Sequence, residues 1–317
     1  MVMAERLTVG PQGPASDAPA QDGEPVAAFM PPAGVHDEQP LHPDVQRLVS
    51  MVENNEELAL PVTVEMALSH IEDGNPKAAL ELLDGVVGEM TTADRLPAIR
   101  RETGHALFAF KNRFEAALHF HLTGRDYISV AFPEALFGAF CVYGWLLVEA
   151  GRHDDAARSL ETAIMLNPCS CEPVFERAEI HKARGDLDGF LSLTMKAFEV
   201  AYSAVDLGRC LRNHGYYEIE CGNYDLAAAS LWRSLAFDPA SGLAWNELAY
   251  IRERTGQPLV EPSPDAIKTT LTTNNIPIGA SAAVIAVAST LARDSMANGK
   301  YEDALLATSI LSDLSRG

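Results

Sequence analysis

The stretch GRHDDAARSLETAIMLNP occupies residues 151–168, and its reading decides the fold. It opens on Gly151, places Ala156, Leu160 and Ala163 at helical spacing, and closes on the Asn167-Pro168 step. Glycine supplies a positive-φ turn without a Cβ clash, and proline biases the residue before it away from helix. The stretch therefore predicts one helix with a turn at each end. Whether that helix is architecture or accident depends on whether its spacing recurs.

It does recur. Taking Gly74, Asn112, Gly151, Gly185, Gly222, Gly256 and Gly299 as turn anchors gives intervals of 38, 39, 34, 37, 34 and 43 residues. Seven residues before the anchors stand Ala67, His105, Gly144, Ala178, Gly215, Ala249 and Ala292. Five residues after them stand Ala79, Ala117, Ala156, Phe190, Ala227 and Ala304, with the Gly256 unit skipped. Pro239 closes an Asp-Pro step where Pro168 closes its Asn-Pro step. Small residues at matched slots let two antiparallel helices approach closely, with Leu160 and Leu231 filling the space beside Gly144 and Gly215.

This layout resembles the tetratricopeptide repeat over roughly 60–317, most closely at 137–170 and 208–241. The early first-helix aromatic of that family appears as Phe140 and as Trp245. The resemblance implies an all-α fold, a right-handed superhelical solenoid of about six to seven helical hairpins. Departures mark two units. His105 occupies a small-residue slot at 98–131, a degenerate unit, and Phe190 replaces an alanine, with Gly189 beside it to relieve crowding. After Gly256 the chain reads QPLVEPSPDAIKTTLTTNNIP, an irregular insertion at about 257–278. Within it, Ser263-Pro264-Asp265 predicts a capped helix start running to about Thr273.

Residues 1–43 hold eight of the 19 prolines and predict a flexible tail before a repeat domain at 44–317. The chain has 317 residues and a formal charge of -20, from 44 acidic and 24 basic side chains. That charge opposes nucleic acid and anionic membrane, since no cationic surplus exists to release counterions. The apolar run 278–292 is shorter than the roughly 20 residues a bilayer span needs. The N-terminus lacks the basic start and apolar core of a signal peptide, so a cytoplasmic location is expected.

No catalytic motif is present: GxSxG, HExxH and GxxxxGK[ST] are all missing, and no enzyme activity is expected. Cys169 with Cys171, and Cys210 with His214, fall short of the about four ligands a closed zinc site needs. No metal and no cofactor are expected, and the five cysteines predict buried packing groups.

Binding remains. In the repeat family the first helix of each unit lines a concave groove. In this register the groove-facing positions include Glu102, Thr103, Ala106, Cys141, Val142, Trp145, Phe175, Glu176, Glu179, Arg209, Arg212, Asn213, Tyr216, Asn246, Glu247 and Tyr250. Trp145, Phe175, Tyr216 and Tyr250 form an aromatic series of the types enriched at binding hot spots, or else they pack between units. Asn213 and Asn246 offer amides to an extended peptide backbone. Arg209 and Arg212 either read a ligand carboxylate or pair with Glu176 and Glu179. The slots of a carboxylate clamp hold apolar or acidic residues. The expectation is a non-enzymatic scaffold that binds a protein or peptide partner of basic or mixed charge in its groove. The alternative is self-association into homo-oligomers through exposed solenoid ends, since the final helix ALLATSILSDL has no obvious polar cap.

Overall fold

The turn glycines do what their spacing demands. A computed structural model of the protein describes residues 60–88, 105–124, 128–131, 134–258 and 260–315, so the expected 1–43 tail, Glu102 and Thr103 lie outside the described residues. Gly74, Gly151, Gly185, Gly222, Gly256 and Gly299 all sit at φ between +68° and +79°. Four of these turns close consecutive antiparallel hairpins: α1 (Leu60–Glu72) with α2 (Pro76–Val86), and α4 (Glu134–Glu149) with α5 (His153–Leu166). The pairs α6 (Glu172–Ala183) with α7 (Leu187–Val200), and α8 (Ala204–Glu220) with α9 (Tyr224–Phe237), follow. The chain is an all-α helical-repeat solenoid.

Small residues set the helix spacing. A Cβ on Gly144 would stand 2.5 Å from Leu160 Cδ2, and one on Gly215 would stand 2.8 Å from Leu231 Cγ. Real carbon contacts lie near 3.5–4.0 Å, so α4–α5 and α8–α9 pack at a distance only glycine allows. The second-helix slot is equally strict: Ala79, Ala117, Ala156, Phe190, Ala227 and Ala304 are all buried. Gly189 leaves room for a different group than Phe190, because a Cβ there would stand 2.2 Å from His181 Nδ1.

The unit at 98–131 does not form the expected first helix. Residues His105–Phe108 are strand β1, paired in parallel with β2 (Ile128–Ala131) through His105↔Ile128 to Phe108↔Ala131. Ala106 therefore lies in a strand and not on a groove helix. Asn112 is no turn either: its side chain caps α3 (Arg113–Thr123) by accepting from Glu115 N–H at 3.0 Å. The stack passes this segment by, with α1 and α2 packing directly against α4.

A buried carboxylate moors α3 instead. Glu115 accepts from Lys111 N–H at 2.7 Å, Asn167 Nδ2 at 2.8 Å and the Tyr202 hydroxyl at 2.8 Å, joining the ends of α5 and α7. The carboxylate sits fully out of water and would cost several kcal/mol without such partners.

The end of the array also departs from the repeat. Helix α10 (Gly242–Thr255) packs on α8 and α9 as a first helix should. Its expected partner, α11 (Pro264–Thr273), begins as predicted, with Ser263 Oγ accepting from Ala266 N–H at 3.3 Å, but it packs on α9. The last hairpin, α12 (Ala282–Ala297) with α13 (Tyr301–Leu314), then returns to α3 and α7. Asp313 accepts from Ala204 N–H at 2.8 Å, and Arg113 pairs with Asp303 at 3.1 Å. The final helix is thus not an open solenoid end.

First helices touch first helices at α1–α4, α4–α6 and α8–α10, and of the second helices α9 touches α11. The last elements cover part of the second-helix side, with α11 on α9 and α12 on α7.

Candidate functional site

Counting back from each turn glycine gives the equivalent stripe on each first helix. On α8 it reads Arg209, Asn213, Tyr216 and Glu220, at helical intervals of four, three and four. The equivalent stripe is Val142, Trp145 and Glu149 on α4, Glu172, Glu176 and Glu179 on α6, and Leu243, Glu247, Tyr250 and Arg254 on α10.

The arginines spend their charge inside the protein. Arg209 pairs with Glu176 at 3.0 Å and reaches Glu179 at 3.9 Å, while its guanidinium lies 4.6 Å above the Phe175 ring. Burial pushes the Glu176 carboxyl up more than Arg209 pulls it down. Arg212 turns toward the loop before α10 and pairs with Asp238 at 2.9 Å. Of the two readings for these cations, pairing wins, with Asp238 as the partner of Arg212.

Phe175 leaves the aromatic series. It is only 1% exposed, because it lies one helical step from the groove stripe and turns beneath Arg209 into the core. Trp145 is half-buried, and Tyr250 is 42% exposed on the last first helix. Tyr216 stands between them. Its ring meets Phe190 edge-on at 5.6 Å from below and carries the Lys182 ammonium 4.2 Å above its face. Lys182 also lies 3.6 Å from Glu179. Burial, then the nearby charges of Glu220, Glu247 and Glu179, push the Tyr216 hydroxyl up. Burial likewise raises Glu247, with Lys182 opposing and Glu220 adding. Lys182, Glu220 and the role of Glu247 in this cluster emerge only from the packing of α6, α8 and α10.

The two asparagines differ. Asn246 is exposed on α10. Asn213 is 9% exposed, and its Nδ2 has no hydrogen-bond partner among the described residues. A buried donor left unpaired costs about 1–3 kcal/mol.

A serine, a histidine and a glutamate do meet, at Ser230, His214 and Glu218. Ser230 Oγ lies 2.8 Å from His214 Nδ1, and His214 Nε2 lies 3.3 Å from Glu218. All three are buried, at 0%, 1% and 6% exposure, so no substrate reaches the hydroxyl. Burial pulls the imidazole down to about 4, and the group ties α8 to α9. The spacing of 16 residues across a helix turn hid it from motif search. Among the described residues no group of three or more His, Cys, Asp or Glu could hold a metal ion. Among them also, no helix is long and apolar enough to cross a membrane.

No protein-family model matches the sequence, and no curated protein matches it. Solved structures do. One is a tetratricopeptide repeat protein from Parabacteroides merdae, 15% identical, matched over 79% of this chain and 91% of that one, with a TM-score of 0.34. Another is BtubC (BKLC) from P. vanneervenii, 16% identical over 80% of this chain and 89% of that one, with a TM-score of 0.32.

Proposed function

We propose that the protein is a non-enzymatic helical-repeat scaffold that binds a protein or peptide along its concave face. The observation that carries this reading is the α8 stripe. There a half-buried tyrosine among charges adjoins an enclosed asparagine amide whose donor is unspent. An extended peptide supplies what that donor lacks, a backbone carbonyl, and aromatic faces supply contact area at small entropic cost. Trp145, Glu179, Asn246 and Tyr250 would extend the contact to both sides, with Glu176, Arg209 and Arg212 holding its walls.

The test is the double substitution Tyr216→Ala/Tyr250→Ala. Capture of a native partner by the immobilised chain should fall at least tenfold while the helical circular-dichroism spectrum is kept, with a modest loss of melting temperature from uncovering Phe190. Undiminished capture would remove the groove from the account.

A second reading has its own observation. Leu243, Trp245 and Tyr250 are 57%, 43% and 42% exposed on α10, the one first helix whose second-helix partner has moved away. Self-association would cover this edge. Light scattering across a concentration series decides it, since a strict monomer eliminates the second reading.

A further inference from the structure

We propose that the concave site around Tyr216 is a seat for one basic side chain, so that the groove takes an extended peptide carrying a Lys or Arg at that point. The inference rests on the groove reading above and names its ligand class.

The seat is already shaped around an ammonium. Lys182 Nζ lies 4.2 Å over the Tyr216 ring and 3.6 Å from the Glu179 carboxylate. A ring face attracts a cation through its quadrupole, and a carboxylate at its rim adds charge attraction. Lys182 is a poor permanent tenant. Its side chain is 35% exposed, and its flexible four-carbon stem lets the ammonium swing out.

Charge is also left over. Arg209 is shared between Glu176 at 3.0 Å and Glu179 at 3.9 Å, and Arg212 is taken up by Asp238 at 2.9 Å. Glu179, Glu220 and Glu247 put negative charge near Tyr216 from α6, α8 and α10, against Lys182 and the share of Arg209 that reaches Glu179. That burial raises Glu247, with Lys182 the group that opposes, agrees with a carboxylate short of positive partners. A basic ligand side chain supplies the missing charge by joining or displacing Lys182.

Asn213 gives an independent sign of a ligand. It stands three residues before Tyr216 on the same stripe, 9% exposed, with Nδ2 unpartnered. A peptide whose basic side chain enters the seat carries a backbone carbonyl past this position, and a turn of the Asn213 amide, whose Nδ2 is closed to solvent here, brings the donor to it. The donor and the seat thus call for parts of one ligand.

The test uses four synthetic nine-residue peptide mixtures, randomised except for a central Lys, Arg, norleucine or Glu, passed over the immobilised full-length chain. The wild type should retain the Lys and Arg mixtures at least fivefold over norleucine. Lys182→Met, which empties the seat, should raise that retention severalfold. Glu220→Gln/Glu247→Gln should abolish the preference while leaving residual retention. The same charge change away from the groove, Glu199→Gln/Glu302→Gln, on exposed positions of α7 and α13, should leave the preference intact. Retention without preference, or preference that ignores both groove variants, overturns the basic seat alone. No retention of any mixture overturns the groove reading with it.

Discussion

Replacing Gly144 with alanine should cost stability even though alanine is the better helix former. The added Cβ would stand 2.5 Å from Leu160 Cδ2 and 2.6 Å from Cγ, and Leu160 is fully buried. Contacts of that kind need about 3.5 Å, so α4 and α5 must part by roughly 1 Å. Overpacking of a tight core costs about 1–3 kcal/mol. Two clashing atoms on an enclosed side chain belong in the upper half of that range. The helix-propensity gain of up to about 1 kcal/mol leaves a net loss of about 1–2 kcal/mol. Gly138 on the same helix is the control, because a Cβ there meets nothing within 4 Å. Gly138→Ala should stabilise by up to about 1 kcal/mol. Urea unfolding measures both, and the Gly144→Ala/Leu160→Ala double variant completes the cycle. Leu160→Ala alone should cost about 2–5 kcal/mol, with the double variant milder than the sum by about 1 kcal/mol or more. Gly144→Ala equal to Gly138→Ala, or strict additivity, would refute the close approach of the two backbones.

Glu115→Ala strips the acceptor from three buried donors and should cost about 3 kcal/mol, whereas Glu115→Gln, whose amide oxygen keeps the Lys111 and Asn167 bonds, should cost less; urea midpoints compare them. His214 gives a pH dependence. Its folded value of about 4 lies below the unfolded value of about 6.5, so the unfolded chain binds more protons between them. Its contribution is present above pH 6.5 and lost as pH falls toward 4, by up to about 3 kcal/mol; melting curves of the wild type and His214→Gln should converge across that window. Asp313→Ala removes the carboxylate that caps Ala204 N–H at the start of α8. It should loosen the final hairpin by about 1 kcal/mol, read as faster amide exchange in α12 and α13.

The repeat was legible because its physics is local. A positive-φ glycine and a small residue seven positions earlier are visible one at a time, and they gave four stacked hairpins and the cap at Ser263. What failed was identity without context. Asn112 fell at a turn-like interval and Ala117 filled its slot, yet Asn112 caps a helix that Asn167 and Tyr202, far apart in sequence, hold through Glu115. Two four-residue strands give no periodicity to read. That α11 would leave α10 for α9 depends on packing surfaces, and the Pro-rich 257–264 run showed only that something would move. At the site, one helical step of about 100° separates Phe175 in the core from Glu176 on the groove stripe. Lys182 over Tyr216 joins positions on two helices that no motif links.

Hydrogen exchange on the full-length chain, with and without the peptides retained by the immobilised protein, tests the binding face most directly. Added protection should concentrate in 172–183, 204–220 and 242–255, the first helices α6, α8 and α10, while 187–200 and 282–297 stay unchanged. Protection centred on α3, α7 or α12 instead would contradict the account, because none of those helices carries the stripe proposed to bind.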